Sequence, residues 1–299
     1  MKQRIIAIVV TYNRLELLKE AVAVIQKQDF QVNSIVVVDN GSTDGTGEWL
    51  DGQAELKVIH QVNSGGSGGF YTGLKYAAKE GFEWAWLMDD DTICQAGTLK
   101  NLVHKLPLFK EKVGFLSSKC IWTDGSPHLM NIPAITPSFN GEIPFNHYDH
   151  YNALLVENSS FVSVLINMEA VKALGLPYKE FFIWGDDQEY TRRITSAGYL
   201  GIYCTDSIVL HKTPANYFPD FYRDSESNLW KHSHGFRNEF FMVKKSKGFA
   251  FYIFWLIGKL GYTSYKLIKI RKQNQWKFLK VLFRSGWNSI TFNPKIDRL

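Results

Sequence analysis

Hydrophobic residues in the first third of the chain form two kinds of pattern. Continuous β-branched runs are typical of buried parallel strands, and apolar residues at helical spacing are typical of amphipathic helices. The continuous runs predict strands at 4–12, at 34–46 (where the strand passes into an Asn-Gly turn), at 56–62 and at 83–91. The helical spacing predicts helices at 14–28 and 68–82. This alternation predicts βαβ units and an α/β fold with a mainly parallel central sheet.

The remaining chain continues the pattern less regularly. Residues 159–175 predict a strand followed by a helix, and residues 179–199 combine an aromatic run, an acidic cluster and an amphipathic helix. Residues 201–213 predict a further strand that ends at His211. Residues 125–155 are rich in Pro, Gly, Asn and His, and we expect a loop-rich region near the functional site.

Polar residues follow several of the predicted strands at their carboxyl ends. They are Thr11, Asp39, Asn63 and Asp89–Asp91. Ligands of open parallel sheets bind beyond the carboxyl ends of the strands. The sequence therefore predicts that these side chains converge on one site.

Charge is distributed unevenly along the 299 residues, although the net charge is only +5. Residues 231–299 hold 15 Lys and Arg and 2 Asp and Glu, about +13, while residues 1–230 hold 19 and 27, about −8. The basic residues of this tail alternate with Phe, Trp, Tyr and Leu. That mixture favours an anionic membrane surface as partner over nucleic acid.

The tail is predicted to be helical and to lie on a membrane rather than to cross it. Its apolar run at 249–258 is shorter than the roughly 20 residues that a spanning helix needs. The alternative is a packed accessory helix. The apolar run near the N-terminus is interpreted as a first strand rather than a signal peptide. Three widely spaced cysteines show no zinc or disulfide spacing, which favours a reducing cytosol.

The acidic triplet Asp89–Asp91 places like charges close together, and a cation or a proton must relieve their repulsion. Asp89 and Asp91 point the same way if the strand continues, and carboxylates are ligands for Mg²⁺ or Mn²⁺. His211, at the end of a β-branched strand, is predicted to reach the same edge. The alternatives are a solvated acidic turn and a structural histidine.

A second acidic cluster, "WGDDQEY" at 184–190, precedes the amphipathic helix. Asp186 and Asp187 are predicted at a helix N-terminus, where the helix dipole favours the ionised carboxylate. They are interpreted either as N-capping residues or as a general base. The neighbouring aromatic residues offer a stacking surface for a sugar ring: Phe181, Phe182 and Trp184.

A glycine-rich stretch, "NSGGSGGFYTG" at 63–73, combines Asn63 with Gly65, Gly66, Gly68 and Gly69. Glycines allow the backbone to approach a ligand closely, and the helix N-terminus that follows is suited to a phosphate. The stretch is neither a Walker motif nor a dinucleotide fingerprint. A flexible loop is the alternative interpretation.

Taken in order, "VVTYNR", "VVVDNGSTDGT", "NSGGSGGF" and "LMDDDT" resemble inverting family 2 glycosyltransferases with a GT-A fold. The resemblance spans about residues 4–215. When "WGDDQEY" and "VLHK" are added to these motifs, the sequence most specifically resembles bacterial galactofuranosyltransferases. Related rhamnosyltransferases share much of the same pattern. "FRNEF" at 236–240 resembles the Arg-Asn that often follows the catalytic domain of these enzymes.

The resemblance implies a role for each matching residue. Around the nucleotide-sugar it implies Thr11, Tyr12 and Asn13 bordering the nucleotide, Asp39 on the base, Asn63, Gly65, Gly66, Gly68 and Gly69 along the diphosphate or donor sugar, and Asp89 and Asp90 beside them. It implies Asp89, Asp91 and His211 as ligands of Mn²⁺ or Mg²⁺. It implies Asp187 as catalytic base, with Asp186 and Trp184 contacting acceptor or donor.

The implied activity is inverting transfer of galactofuranose from UDP-galactofuranose to a lipid-linked cell-surface polysaccharide. Transfer of rhamnose from a dTDP-sugar is the alternative within this class. The implied division is a GT-A catalytic domain at 1–230 and a basic, aromatic helical extension at 231–299. The enzyme would lie in the cytoplasm on the inner face of the membrane, and whether it forms a homo-oligomer is left open.

Two other classes compete with the transferase. A non-catalytic sugar-nucleotide-binding protein would not require Asp89, Asp91, Asp187 and His211 together. A nucleotidyltransferase also uses an α/β sheet and metal-binding acids. It would normally carry a glycine-rich loop with a basic residue after its first strand, whereas "TYNRLE" has Arg14 but no glycine.

Overall fold

The computed structural model describes residues 3–299, which form two compact units. The first unit holds the chain up to Lys179, together with Asp187–Tyr217 and Ile296–Leu299. The second holds Glu180–Asp186 and Phe218–Lys295. The second unit thus begins before residue 231, where the sequence led us to expect the extension.

Strands and helices alternate through the first unit, and long helices make up most of the second. The strands are β1 (Ile5–Thr11), β2 (Ser34–Asp39), β3 (Lys57–His60), β4 (Trp84–Asp89), β5 (Thr92–Cys94), β6 (Val113–Ile121), β7 (Ala134–Ile135), β8 (Ser138–Phe139), β9 (Ile143–Pro144), β10 (Ala153–Asn158), β11 (Val164–Asn167) and β12 (Leu200–His211). The helices are α1 (Leu15–Gln26), α2 (Thr46–Asp51), α3 (Gly65–Lys79), α4 (Thr98–Val103), α5 (Met168–Leu174), α6 (Asp186–Ser196), α7 (Leu229–Lys247), α8 (Phe249–Ile270) and α9 (Gln275–Thr291).

The central sheet has the strand order β3-β2-β1-β4-β11-β6-β12-β10-β7, and β5 pairs with β12. Strands β3, β2, β1 and β4 are parallel, and β6 is parallel to β12. Strand β11 runs antiparallel between β4 and β6, so those two neighbours point the same way. The mainly parallel α/β sheet predicted from the sequence is therefore confirmed.

Both faces of β1 are buried, which explains its uninterrupted apolar sequence. Ile5, Ala7 and Val9 pack in the core on one face of the sheet, and Ile6 and Ile8 pack in the core on the other. A strand covered by helices on both sides has no solvent-facing position for a polar residue. Polar residues on β1 are thus excluded until the strand ends at Thr11.

Helix α3 begins at Gly65, three residues earlier than the pattern predicts, so the glycine-rich stretch forms its first turns. Two of its glycines allow the helix to approach β1 closely. A Cβ on Gly69 would lie 2.4 Å from Val10 Cγ1, and a Cβ on Gly73 would lie 2.3 Å from Ile8 Cγ2. Apolar periodicity starts only after the glycines, which is why it misplaces the helix start.

The second unit contains α7, α8 and α9, as the sequence predicts for its tail. They pack around buried side chains that include Phe240, Tyr252, Leu267, Phe278 and Leu282. Across residues 3–299, no helix combines the length and the apolar character that crossing a membrane requires.

Replacing Gly73 by Ala is expected to destabilise the first unit. The new methyl group cannot fit against Ile8 without displacing helix or strand, and overpacking of this kind costs about 1–3 kcal/mol. Gly66→Ala is the matched control in the same helix, because a Cβ on Gly66 would have nothing within 4 Å of it. Urea unfolding of both variants measures the difference. Equal unfolding free energies for the two variants would contradict this account of α3 packing.

Candidate functional site

Four strands of the first unit deliver polar residues to one edge of the sheet. Thr11 pairs with Asp39 at the ends of β1 and β2, and Val10 pairs with Asp89 at the end of β4. Strand β12 points the same way and ends at His211. The convergence follows from strand direction alone, as expected for a mainly parallel sheet.

Asp89, Asp91 and His211 form the centre of this edge. One ligand atom from each lies within 4.8 Å of the others. Asp91 and His211 are buried, with 2% and 6% of their surfaces exposed. The structure thus brings together the three residues for which the sequence implied metal ligation.

The cluster has the character of a cation site. Within the described residues, the buried Oδ1 of Asp91 has no hydrogen-bond partner, although His211 Nε2 lies 3.1 Å away and would pair with it if protonated. Burial alone would raise the pKa of Asp91, but His211 and Arg14 outweigh burial and hold that pKa below its usual value. An ionised carboxylate oxygen without a donor, set beside a second carboxylate and an imidazole, fits a divalent cation such as Mn²⁺.

Asp90 has a different environment from its two neighbours. Its Oδ2 accepts a 2.8 Å hydrogen bond from Thr11 Oγ1, and its Oδ1 lies 3.2 Å from Arg14 Nη1. Burial raises the pKa of Asp90 to about 6, an effect that the charge of Arg14 opposes. Asp90 therefore joins the ends of β1 and β4.

Arg14 was not among the site residues expected from the sequence. Its Nη1 lies 2.5 Å from Asp91 Oδ2 and bridges Asp90 and Asp91. It relieves part of the repulsion within the triplet, because it places one positive charge between two carboxylates. Its position directly after the polar end of the first predicted strand was the available signal.

His128 and Asn131 also belong to the site and were missed. Both come from the loop-rich region that the sequence placed near the site, but nothing in a single sequence distinguishes them from its other polar residues. Asn131 Oδ1 lies 2.7 Å from His211 Nδ1, and the ring of His128 packs against that of His211 with centroids 4.4 Å apart. Burial, together with the nearby His211, lowers the pKa of His128 to about 4.

The residues expected around the base of a nucleotide lie at the ends of β1 and β2. Asp39 is buried, its Oδ1 accepts from Ser42 N at 2.9 Å, and its Oδ2 lies 2.9 Å from His60 Nδ1. The hydrogen bond to Asp39 raises the pKa of His60, another residue that sequence reasoning missed. Tyr12 is 46% exposed, and Asn13 Oδ1 accepts from Thr43 N at 2.7 Å. Tyr12 is therefore an exposed aromatic side chain at this edge.

The glycine-rich stretch divides into positions with different surroundings. Asn63 Oδ1 accepts from the backbone N of Gly65, which has a positive φ of 73°. Gly68 lies against Ser64, and Gly69 against β1. Gly66 has nothing within 4 Å of its Cβ position, so it is the glycine that leaves open space beside the helix start.

In the second unit, the segment Glu180–Asp186 has an unusual backbone. Phe182, Trp184 and Gly185 all have positive φ, at 66°, 63° and 87°. Bulky residues rarely adopt this region, and such strain persists only where the surroundings impose it. Contacts around the segment that carries Trp184 must therefore stabilise its strained backbone conformation.

Asn238 provides that restraint. It is fully buried, and its Nδ2 donates to the carbonyl oxygens of Phe181, Ile183 and Trp184 at 2.8–3.2 Å. Its neighbour Arg237 donates to Phe181 O at 3.1 Å and to Glu180 O at 2.7 Å. The Arg-Asn pair noted in the sequence therefore fixes the strained segment.

Helix α6 begins at Asp186, so both acids of the second cluster lie at a helix N-terminus as predicted. Asp186 is 7% exposed, and Asp187 Oδ1 accepts from Gln188 N at 2.7 Å. Trp184 makes an edge contact with His232, with centroids 5.0 Å apart. The roles of these three residues in catalysis stay predictions.

Comparison with known proteins agrees with the fold. Residues 6–111 match the family described as "Glycosyl transferase family 2". Galactofuranosyltransferase GlfT1 of Mycolicibacterium smegmatis is 26% identical over 69% of this chain and 70% of its own length. Its counterpart in Mycobacterium tuberculosis is 27% identical over 73% of each chain.

A solved structure shares the fold at low sequence identity. It is that of the mannosyltransferase PcManGT from Pyrobaculum calidifontis in complex with GDP-Man and Mn²⁺. The similarity has a TM-score of 0.56 and 18% identity, and covers 98% of this chain and 77% of that one.

The sheet topology and the similarity to this solved structure show a fold of the GT-A type. Residues 6–111 match the glycosyl transferase family 2 model, and the similarity to galactofuranosyltransferases extends beyond that range.

Proposed function

We propose that this protein is an inverting, metal-dependent glycosyltransferase that moves galactofuranose from UDP-galactofuranose to a lipid-linked cell-surface polysaccharide. The observation that carries the proposal is the cluster of Asp89, Asp91 and His211 at the carboxyl edge of the sheet. The donor sugar is supported by the similarity to the two mycobacterial galactofuranosyltransferases. A dTDP-rhamnose donor is the competing choice, because rhamnosyltransferases resemble this sequence as well.

The chain supplies its part of a single displacement reaction with two groups of side chains. Asp89, Asp91 and His211 hold the divalent cation, which stabilises negative charge on the diphosphate leaving group when bound. Asp187 accepts the proton of the acceptor hydroxyl as that oxygen attacks the anomeric carbon. One displacement inverts the anomeric configuration and requires no covalent sugar–enzyme bond.

The nucleotide is proposed to lie against the ends of β1 and β2. The carboxylate oxygens of Asp39 are hydrogen-bond acceptors, which suits the N–H of a uracil or thymine ring. Tyr12, as an exposed aromatic residue of this edge, offers a stacking surface for that base. The open backbone around Gly66 leaves room for the diphosphate at the N-terminus of α3.

The second unit is proposed to bind the inner face of the cell membrane. Helix α8 exposes Phe254, Ile257 and Tyr265 at helical spacing, and α9 exposes Trp276 and Trp287. Exposed aromatic and aliphatic residues accompanied by many basic ones are typical of helices that lie in the membrane interface. The charge of about +13 over residues 231–299 favours an anionic leaflet.

Calorimetry with UDP and dTDP, each with and without Mn²⁺, is the experiment that tests the function. We expect UDP binding to depend on Mn²⁺, because the cation would offset the charge of the diphosphate beside the carboxylates. We also expect UDP to bind more tightly than dTDP, because the proposed donor is UDP-galactofuranose. Asp91→Asn serves as a comparison, since it removes one ligand charge. A preference for dTDP would favour rhamnose, and absence of binding to either nucleotide with Mn²⁺ would refute the proposed site.

Replacing Asp187 by Asn is expected to lower transfer by about 10²–10⁴-fold, because the amide cannot accept the proton of the attacking hydroxyl. Metal-dependent UDP binding should persist, since Asp187 is not assigned to the metal. Radiolabelled sugar transfer and calorimetry measure the two properties. Asp149→Asn, whose side chain is 64% exposed, is the matched control. Near-normal turnover by Asp187→Asn would show that another group is the base.

Vesicle co-sedimentation tests the membrane surface. Trp276→Ser combined with Trp287→Ser is expected to weaken binding to anionic vesicles by at least about tenfold, because each side chain loses its apolar burial. Phe218→Ser, which removes an aromatic residue that is 70% exposed but lies outside α8 and α9, should bind normally. Unchanged binding of the double variant would contradict this assignment. So would concentration-dependent self-association of a protein that ignores anionic vesicles.

A further inference from the structure

The imidazole of His211 is contacted at each nitrogen by an oxygen atom that can accept a hydrogen bond but cannot donate one. Nδ1 lies 2.7 Å from the Oδ1 of Asn131, and Nε2 lies 3.1 Å from the Oδ1 of Asp91. A neutral imidazole carries a proton on only one of its nitrogens. The nitrogen that holds this proton decides whether the other can bind a cation.

Asn131 is positioned to determine which nitrogen of His211 carries the proton. It is only 8% exposed, and its Nδ2 donates to Ser160 Oγ at 2.9 Å, which leaves Oδ1 facing His211. An amide oxygen can accept a hydrogen bond but cannot donate one. If a cation engages the carboxylates, Asp91 no longer requires a donor from His211. The one proton of a neutral His211 would then belong on Nδ1, where Asn131 Oδ1 accepts it, and the lone pair of Nε2 would face the centre of the cluster.

The plane of the His211 ring is restricted from a second direction. The ring of His128 packs against it with centroids 4.4 Å apart and an angle of 37° between the planes. His128 is itself held, since its Nε2 lies 2.8 Å from Thr213 Oγ1, and that hydroxyl donates to the carbonyl oxygen of Ala215. With the ring face packed, the hydrogen bond that Nδ1–H donates to Asn131 Oδ1 determines which edge of the ring points inward.

We propose that Asn131 is a positioning residue that fixes the Nδ1–H tautomer of His211 and thereby presents Nε2 to a divalent cation. This inference rests on the metal centre of the proposed function. Outer hydrogen-bond partners of this kind typically change metal affinity by about 10–100-fold when they are removed. Asn131 would accordingly determine the affinity for the cation although it does not touch it.

The competing arrangement rotates the amide by half a turn. Asn131 would then donate to Nδ1, and Nε2–H would donate to Asp91, which gives a His–Asp pair without a lone pair for a metal. An Asp at position 131 distinguishes the two arrangements, because a carboxylate can only accept. The carboxylate could still accept the proton of Nδ1, as in the first arrangement, but could not donate to Nδ1, as the second arrangement requires.

Mn²⁺ affinity, measured from the electron paramagnetic resonance signal of free Mn²⁺, is the first readout. We expect Asn131→Leu to weaken Mn²⁺ binding by about 10–100-fold and Asn131→Asp to bind at least as well as the natural protein. Asn146→Leu is the matched control. It makes the same substitution at an exposed asparagine of the same loop-rich region, outside the site, and should leave the affinity unchanged. Natural affinity in Asn131→Leu, or equal loss in both position-131 variants, would overturn the proposal.

The tautomer itself is the second readout and needs no substitution at position 131. Nitrogen-15 histidine spectra of the metal-free protein, with the signal of His211 identified by its loss in His211→Gln, report which ring nitrogen carries the proton. A proton on Nδ1 is expected, and a ring whose Nδ1 carries no proton would overturn the proposal even if Asn131→Leu failed to fold. If the natural protein bound no Mn²⁺, the proposed metal centre would fail, while these spectra would still decide the role of Asn131.

Discussion

The electrostatic cost of gathering acids at a buried sheet edge is the constraint on which the site depends. Two like charges 4 Å apart repel by about 4 kcal/mol at an effective dielectric constant of 20. Asp90 and Asp91 are 3% and 2% exposed, so water relieves little of this repulsion. The fold offsets it by distributing partners: Thr11 and Arg14 for Asp90, and Arg14 for Oδ2 of Asp91. Oδ1 of Asp91 has no hydrogen-bond partner unless His211 is protonated, and that oxygen is what suits this edge to a cation.

The cluster is also a product of strand direction. Asp89 and His211 are separated by more than a hundred residues, yet both end strands that point the same way. Strand β11, inserted between β4 and β6, does not disturb this. It is antiparallel to both of them, so β4 and β6 still run in the same direction. A turn at 89–91 then places Asp91 next to the incoming end of β12, whose His211 pairs in register with Thr92. The three candidate metal ligands are therefore positioned by the ends of strands and by the short turn that joins β4 to β5.

These features determine what could be predicted from the sequence. The strands, the strand-end acids and His211 were predictable, because β-branched runs reveal buried strands and parallel strands share one polar edge. Arg14, His60, His128 and Asn131 were not identified as site residues, because each acts through a contact between segments distant in the chain. The start of α3 was misplaced since its first residues are glycines, whose value lies in close packing against β1 and not in apolar periodicity.

The strained segment of the second unit likewise combines features that a sequence pattern reveals with contacts that it does not reveal. The sequence showed an aromatic run and an Arg-Asn pair but gave no reason to connect them. In the structure one buried amide, that of Asn238, donates to three carbonyl groups of that run, those of Phe181, Ile183 and Trp184. Each positive φ of Phe182 and Trp184 costs of order 1–3 kcal/mol, and a buried carbonyl without a donor costs a similar amount. Because Asn238 can donate to those carbonyl groups only in the strained geometry, the strained conformation is the stable one. An apolar residue at position 238 would remove that preference without creating any clash. The asparagine is thus needed for its hydrogen bonds and not for its size.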